Sequence, residues 1–265
     1  MKVVSFINEK GGTCKTTLAV NLAAYFALYK KKRVLLLDLD SQGHVGKSLG
    51  VNVREAPITI MEWMTNQKVH SSEAVLETRI ENLNVIVANK RLAEFPQKVA
   101  RRPGNTTRLK QRIDNLEEEL GEKYDYVFID APPSLGLVTQ NIMIASDEVV
   151  LPVALTFLSM DGCAEVIATM GQVRRENKIN NPSLGMVVPT LYRKTKLANA
   201  IIVKLKSYFP KELSQVVISY NVQIDEAQSF GRTIWEYAPS SNGAKMLEKL
   251  SIELYRKVLV AKSRP

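Results

Sequence analysis

Short, wholly apolar runs alternate along this chain with longer stretches in which apolar residues recur every three or four positions. Residues 2–7 read as a short strand, and residues 16–29 as a helix carrying Leu18, Val20, Leu22, Ala23, Phe26 and Ala27 at helical spacing. Residues 33–38 form a continuous apolar run ending in a carboxylate, the pattern of a strand buried on both faces. A polar loop with glycines follows. Short helices are expected at 58–65 and 71–77, a strand at 83–88, a charged helix at 106–120 ending at Gly121, and a buried strand at 124–130. Helices at 138–145, 159–177 and 197–209 then alternate with strands at 148–153, 184–188 and 215–218, before a C-terminal helix from about Gly243. Such alternation predicts an α/β fold with one twisted, mostly parallel sheet covered by helices on both faces. No repeat, low-complexity linker or shift in composition marks a boundary, so residues 1–265 read as a single domain.

Chemistry concentrates where strands end. Residues 8–17, Asn-Glu-Lys-Gly-Gly-Thr-Cys-Lys-Thr-Thr, join the first strand to the first helix. Two glycines and small neighbours let successive N–H groups aim at a polyphosphate, and the helix N-terminus adds a favourable dipole. Lys15 would then meet the β- and γ-phosphates, with the Thr16 hydroxyl on Mg²⁺. Gly11, Gly12, Thr13 and Thr17 complete the cradle, together with Cys14, which stands where the Walker pattern wants glycine. A second lysine, Lys10, lies five residues before Lys15. Asp38 and Asp40 leave the second strand two positions apart, and residues 126–130, Tyr-Val-Phe-Ile-Asp, have the Walker B arrangement, which supports Mg²⁺ through Asp130. A lone strand-terminal Asp is often only a helix cap; three motifs in order argue for a P-loop NTPase.

Composition narrows the function classes. With 45% hydrophobic residues in 265, the chain can bury a substantial core, and no apolar run approaches the ~20 residues of a membrane span. The N-terminus enters the first strand directly, leaving no room for a signal peptide, and Cys14 and Cys163 form no CxxC pair; both fit a cytoplasmic protein. The net charge of +9 suggests a polyanionic partner, nucleic acid first. Basic residues gather in 90–112 (Lys90, Arg91, Lys98, Arg101, Arg102, Arg108, Lys110, Arg112), around Lys194, Lys196, Lys204 and Lys206, and in the tail. Solvated helix faces are the alternative for any one cluster. No sequence-reading motif accompanies them, so binding would be to phosphates and sensitive to salt.

These motifs resemble the ParA/Soj family of deviant Walker A ATPases, of SIMIBI type, within the larger group that includes MinD. The likeness is carried by residues 10–17, by Asp38-Leu39-Asp40-Ser41-Gln42-Gly43, by residues 129–136 and by residues 221–232, and it spans nearly the whole chain. The resemblance implies ATP and Mg²⁺ as cofactors, an ATP-dependent homodimer, nonspecific DNA binding and slow hydrolysis stimulated by a ParB-type adaptor. Cargo would be a plasmid or chromosome partition complex, or a protein body such as a carboxysome, positioned on the nucleoid. Lys10 would reach across the dimer to the partner's phosphates, Asp38 would orient the attacking water near the metal, Thr16 would bind Mg²⁺ directly and Asp130 through water. Pro189, Thr190 and Asn221 would contact the base. Ser41 replaces the usual proline, residues 219–221 replace a Pro-x-Asn stretch, and Tyr220 and Gln223 stand where many relatives have arginine. DNA contacts would therefore fall to Lys194, Lys196 and Lys204. Two rivals stay open: a MinD-like membrane switch using the apolar face of Met246, Leu247, Leu250, Leu254, Tyr255 and Val258, and a small-molecule ATP-dependent synthase.

Overall fold

The structure, a computed structural model, describes residues 1–157 and 159–260. Seven strands form one sheet: β1 (Lys2–Phe6), β2 (Val34–Asp38), β3 (Leu76–Glu77), β4 (Leu83–Ile86), β5 (Tyr126–Asp130), β6 (Glu148–Ala154) and β7 (Ser183–Thr190). Their order is β3-β4-β2-β5-β1-β6-β7, and only the β3–β4 pair is antiparallel. The helices are α1 (Lys15–Lys30), α2 (His44–Ser48), α3 (Ile60–Thr65), α4 (Ser71–Ala74), α5 (Phe95–Val99), α6 (Arg108–Asp114), α7 (Leu116–Leu120), α8 (Leu137–Ala145), α9 (Ser159–Asn177), α10 (Lys196–Tyr208), α11 (Val222–Ser229), α12 (Ile234–Tyr237) and α13 (Asn242–Leu254). This is the single α/β unit the alternation predicts.

Two cores follow from the two-residue period of the strands. Val4, Phe6, Val34, Leu36, Tyr126 and Phe128 point to one face, where α1, α11, α12 and α13 cover them. Val3, Leu35, Leu37, Val127 and Ile129 point to the other, beneath α3, α5, α6, α8, α9 and α10. Both faces are closed, which explains why the central strands carry almost no polar residue. Leu247, Leu250, Leu254 and Val258, the face a membrane switch would need, are fully buried in the first of these cores.

The sheet also levels its functional ends. Asp38 of β2 stands in register with Asp130 of β5, which in turn pairs with Phe6 of β1. Beside β1 the chain order reverses, with β5 and β2 to one side and β6 to the other, so the crevice at these carboxyl ends is open to a ligand.

Four local expectations are corrected. Residues 215–218 do not form a strand: the amides of Gln215 and Val216 donate to the Glu253 carboxylate, leaving only isolated bridges at Leu213 and Ser219 beside them. Residues 71–77 are α4 followed by β3, because Val75 turns extended and Leu76 and Glu77 pair with the edge of β4. The charged helix at 106–120 is two pieces that meet at Asn115, a weak helix former whose N–H is shared between the Gln111 and Ile113 carbonyls. The polar loop after β2 contains α2.

Candidate functional site

Residues 7–14 wrap the start of α1 as a tight loop held by its own groups. The Asn8 side chain ties it to β6, donating to the Pro152 carbonyl at 2.7 Å and accepting from the Lys10 amide at 3.0 Å. Gly12, at φ 70°, supplies a left-handed turn, and a Cβ on either Gly11 or Gly12 would meet nothing within 4 Å. That open space is the cradle. Lys15 crosses beneath it and donates to the Lys10 carbonyl at 2.9 Å, a contact that places the ammonium under the loop. Cys14 is also left-handed, at φ 68°, so a side chain occupies a conformation that costs about 1–2 kcal/mol without a glycine. Burial pushes its thiol up to about 11, which makes it a poor nucleophile.

Under the cradle lie the two strand-terminal aspartates, both fully buried. Thr16 Oγ1 donates to Asp130 Oδ2 at 2.6 Å, while Asp130 Oδ1 has no hydrogen-bond partner among the described residues. An orphaned buried oxygen beside a hydroxyl, next to a buried ammonium and an open cradle, is a donor set that fits a magnesium polyphosphate. Asp38 accepts from the amides of Asp40 at 3.1 Å and Val45 at 3.1 Å, and so fixes the turn between β2 and α2. That turn needs Gly43, at φ 63°, because a Cβ there would lie 2.7 Å from the Ala88 carbonyl oxygen.

Electrostatics in this pair is unfavourable without a cation. Burial, and then the neighbouring Asp130, raise Asp38 well above the ordinary carboxylate range; burial pushes Asp130 up to about 7 against the opposing pull of Thr16 and Lys15. The folded chain therefore holds protons here that the unfolded chain, titrating near 4, has lost, and stability must fall as pH rises through the window between. Carboxylates held below their ordinary range by hydrogen bonds and cations, such as Asp125 with Lys32 and Glu253 with Lys257, titrate on the acid side of this window and do not oppose it. From pH 5 to 8 the ligand-free protein should lose on the order of 2 kcal/mol, or about 4–8 °C in unfolding midpoint, and Mg²⁺ with ADP should remove the slope. A midpoint that stays level or rises in calorimetry would contradict the pairing.

The cleft above has a volume of about 550 Å³. Residues 11–17 line it, with Asp40, Gln42, His44, Lys47 and Ser48 from the β2–α2 segment, Pro133 after β5, and Gln228 and Ser229 from α11. Asp38 and Asp130 lie below the floor rather than on it. Lys10 turns its side chain away, bringing its Cε within 3.4 Å of where a Cβ on Gly162 of α9 would stand. Pro189 and Asn221 do not line the cleft; Asn221 caps α11 by accepting from the Ile224 amide at 3.2 Å. Thr190 is buried and donates to the Thr13 carbonyl at 3.2 Å, so it supports the loop from below. Lys194, Lys196 and Lys204 are exposed around α10, away from the cleft. Sequence reasoning missed Gln228, whose Oε1 accepts from Thr17 at 3.2 Å, and missed Lys47 on α2. Gln228 sits in the 221–232 stretch already singled out; no pattern within it marks that one position.

Comparison with known proteins agrees with this geometry. The AAA domain family matches residues 1–186. The sporulation initiation inhibitor protein Soj of Bacillus subtilis (strain 168) is 34% identical over 253 residues, 96% of this chain and 98% of its own. Among solved structures, apo McdA of Cyanothece superposes with a TM-score of 0.84 at 21% identity, over 96% of this chain and 99% of that one, which speaks for the fold. The cobyrinic acid a,c-diamide synthase of Mycobacterium smegmatis with bound ADP and magnesium superposes with a TM-score of 0.81 at 26% identity, over 100% of this chain and 98% of that one. A phosphate cradle with a second lysine, two register-paired aspartates beneath it and 34% identity to Soj over nearly the full length of both chains lead to one assignment: the chain belongs to the Soj/ParA family of partition ATPases.

Proposed function

We propose that this protein is an ATP-operated, dimerising switch that binds DNA without sequence preference and segregates or positions cargo on the nucleoid, with slow hydrolysis stimulated by a ParB-type adaptor. The observation that carries the reading is the division of labour at Lys10. Its carbonyl belongs to the cradle, accepting from Lys15 and from Thr13 Oγ1 at 3.3 Å, while its side chain leaves the cleft toward α9. A lysine anchored in the cradle by its backbone, with a side chain that lies outside its own cleft, suits a role across a dimer. Bound Mg²⁺ would supply charge neutralisation on the transferred phosphate, with Thr16 and Asp130 as its protein partners. Lys15 neutralises phosphate charge from below, and Asp38 holds the Asp40–Val45 turn against the reacting end. Exposed Lys194, Lys196 and Lys204 supply phosphate contacts for DNA.

Lys10→Ala should bind ATP within about threefold of the parent yet lose at least tenfold in ATP-dependent dimer affinity, measured by light scattering. Dimerisation equal to the parent would refute the switch. Likeness to the 26% identical cobyrinic acid a,c-diamide synthase motivates one rival, in which turnover depends on an organic acid. ATP hydrolysis unchanged by carboxylic acids but raised by a DNA-bound adaptor separates the two.

A further inference from the structure

The basic stretch at 90–112 is not absorbed by the nucleotide site. In the folded chain it closes a second cleft of about 540 Å³, between the carboxyl end of α3 and the turn from α5 into α6. Lys68, Lys98, Arg102 and Arg108 line this cleft, against the single carboxylate of Glu62. That carboxylate is partly engaged: Thr59 donates to its Oε2 from its amide at 3.1 Å and its hydroxyl at 2.5 Å, and Arg91 lies 2.9 Å from its Oε1, which has no hydrogen-bond partner among the described residues. Four cations therefore face the cleft against one carboxylate that is already paired with a fifth, Arg91.

The two arginines are also set in place. Arg102 Nη1 donates to the Thr65 carbonyl at 3.3 Å and Arg108 Nη1 to the Met64 carbonyl at 3.5 Å, both at the end of α3. Capping a helix terminus takes one guanidinium nitrogen from each and leaves the remaining donors of two planar forks. Arg108 Nε is buried without a hydrogen-bond partner among the described residues, an arrangement costly unless something accepts from it. Burial, followed by repulsion from Arg102, pulls the Arg108 guanidinium below its ordinary value, so the two charges are close enough to oppose each other. Holding like charges together is the preparation of a site for a multiply charged anion.

We propose that this cleft binds a phosphate-bearing polyanion, with Arg102 and Arg108 as oriented donors and Lys68 and Lys98 closing over it. Planar guanidinium forks match phosphate oxygens, and four charges exceed what one carboxylate ligand would neutralise. The phosphates belong either to a free phosphorylated metabolite or to a nucleic-acid backbone.

Lysine acetylation of the full chain, followed residue by residue by mass spectrometry, tests this with pyrophosphate as the probe. Pyrophosphate at 1 mM scale should slow labelling of Lys68 and Lys98 at least threefold while leaving exposed Lys211 unchanged. Arg102→Gln should abolish that protection. Because the readout is local, occupancy of the nucleotide cleft does not enter it, and the parent protein alone suffices if the variant folds poorly. A parallel arm with a 30-base-pair duplex distinguishes the sources: protection of the same lysines assigns the site to nucleic acid, and protection by pyrophosphate alone assigns it to a free ligand. No protection in either arm, or equal slowing at Lys211, overturns the proposal.

Discussion

Replacing Lys15 with methionine should lower ATP affinity at least 100-fold, about 2.7 kcal/mol, measured by calorimetric titration. Methionine keeps most of the aliphatic volume, so the change isolates the charge. The parent lysine is 7% exposed and its ammonium is fixed by the Lys10 carbonyl, between the cradle and the buried aspartates. Burial lowers its own pKa, and attraction to Asp130 and Asp40 opposes that lowering. A second consequence follows from the same contacts. Without Lys15, Asp130 loses the cation that restrains its upward shift, so the ligand-free variant should show a steeper decline in stability between pH 5 and 8 than the parent. Retention of ATP affinity within threefold would mean that the cleft is not the nucleotide site.

The central part of this arrangement was legible from residue order. Continuous apolar runs at β1, β2 and β5 can only be strands closed on both faces, and each leads into a loop of polar or small residues. That Asp38 and Asp130 would lie side by side was not legible, because register between strands far apart in sequence depends on the whole sheet. Short helices were missed for a related reason. The five residues of α2 begin after Gly43 with no side-chain cap, and their form is imposed by close packing of that glycine on Ala88. The 215–218 segment failed in the opposite direction. Its residues suit a strand, but Glu253, 38 positions from Gln215, takes the amides that a ladder would need.

The outer residues of the cleft show where family resemblance and geometry part. Residues 11–17 line the cleft together as their motif requires, whereas Asn221 caps α11 and leaves the lining of the cleft to Gln228 and Ser229 about two turns later. Position along the axis accounts for the difference: residues 221 and 228 fall on one helix face, but roughly 10 Å of rise separates the cap from the last turn, which lines the cleft.

Asp38→Asn is expected to reduce ATP turnover at least 100-fold, about 2.7 kcal/mol of barrier, while ATP affinity stays within about threefold. The carboxylate accepts two backbone amides, one on each oxygen, from the turn whose Asp40, Gln42 and His44 line the cleft. Asparagine retains one acceptor and turns an N–H donor toward the other amide, so the turn shifts at the reacting end while the cradle at residues 11–17 is left intact. The substitution also removes a group whose ionisation burial and Asp130 oppose, so the buried pair can no longer carry two negative charges, which favours retention of the nucleotide. Loss of turnover with binding preserved should hold the protein in its ATP-bound state and, if that state is the DNA-binding dimer, lengthen its residence on DNA in a salt-dependent manner. Turnover equal to the parent would show that Asp38 only caps the turn; equal loss of affinity and turnover would place its effect on the cleft as a whole.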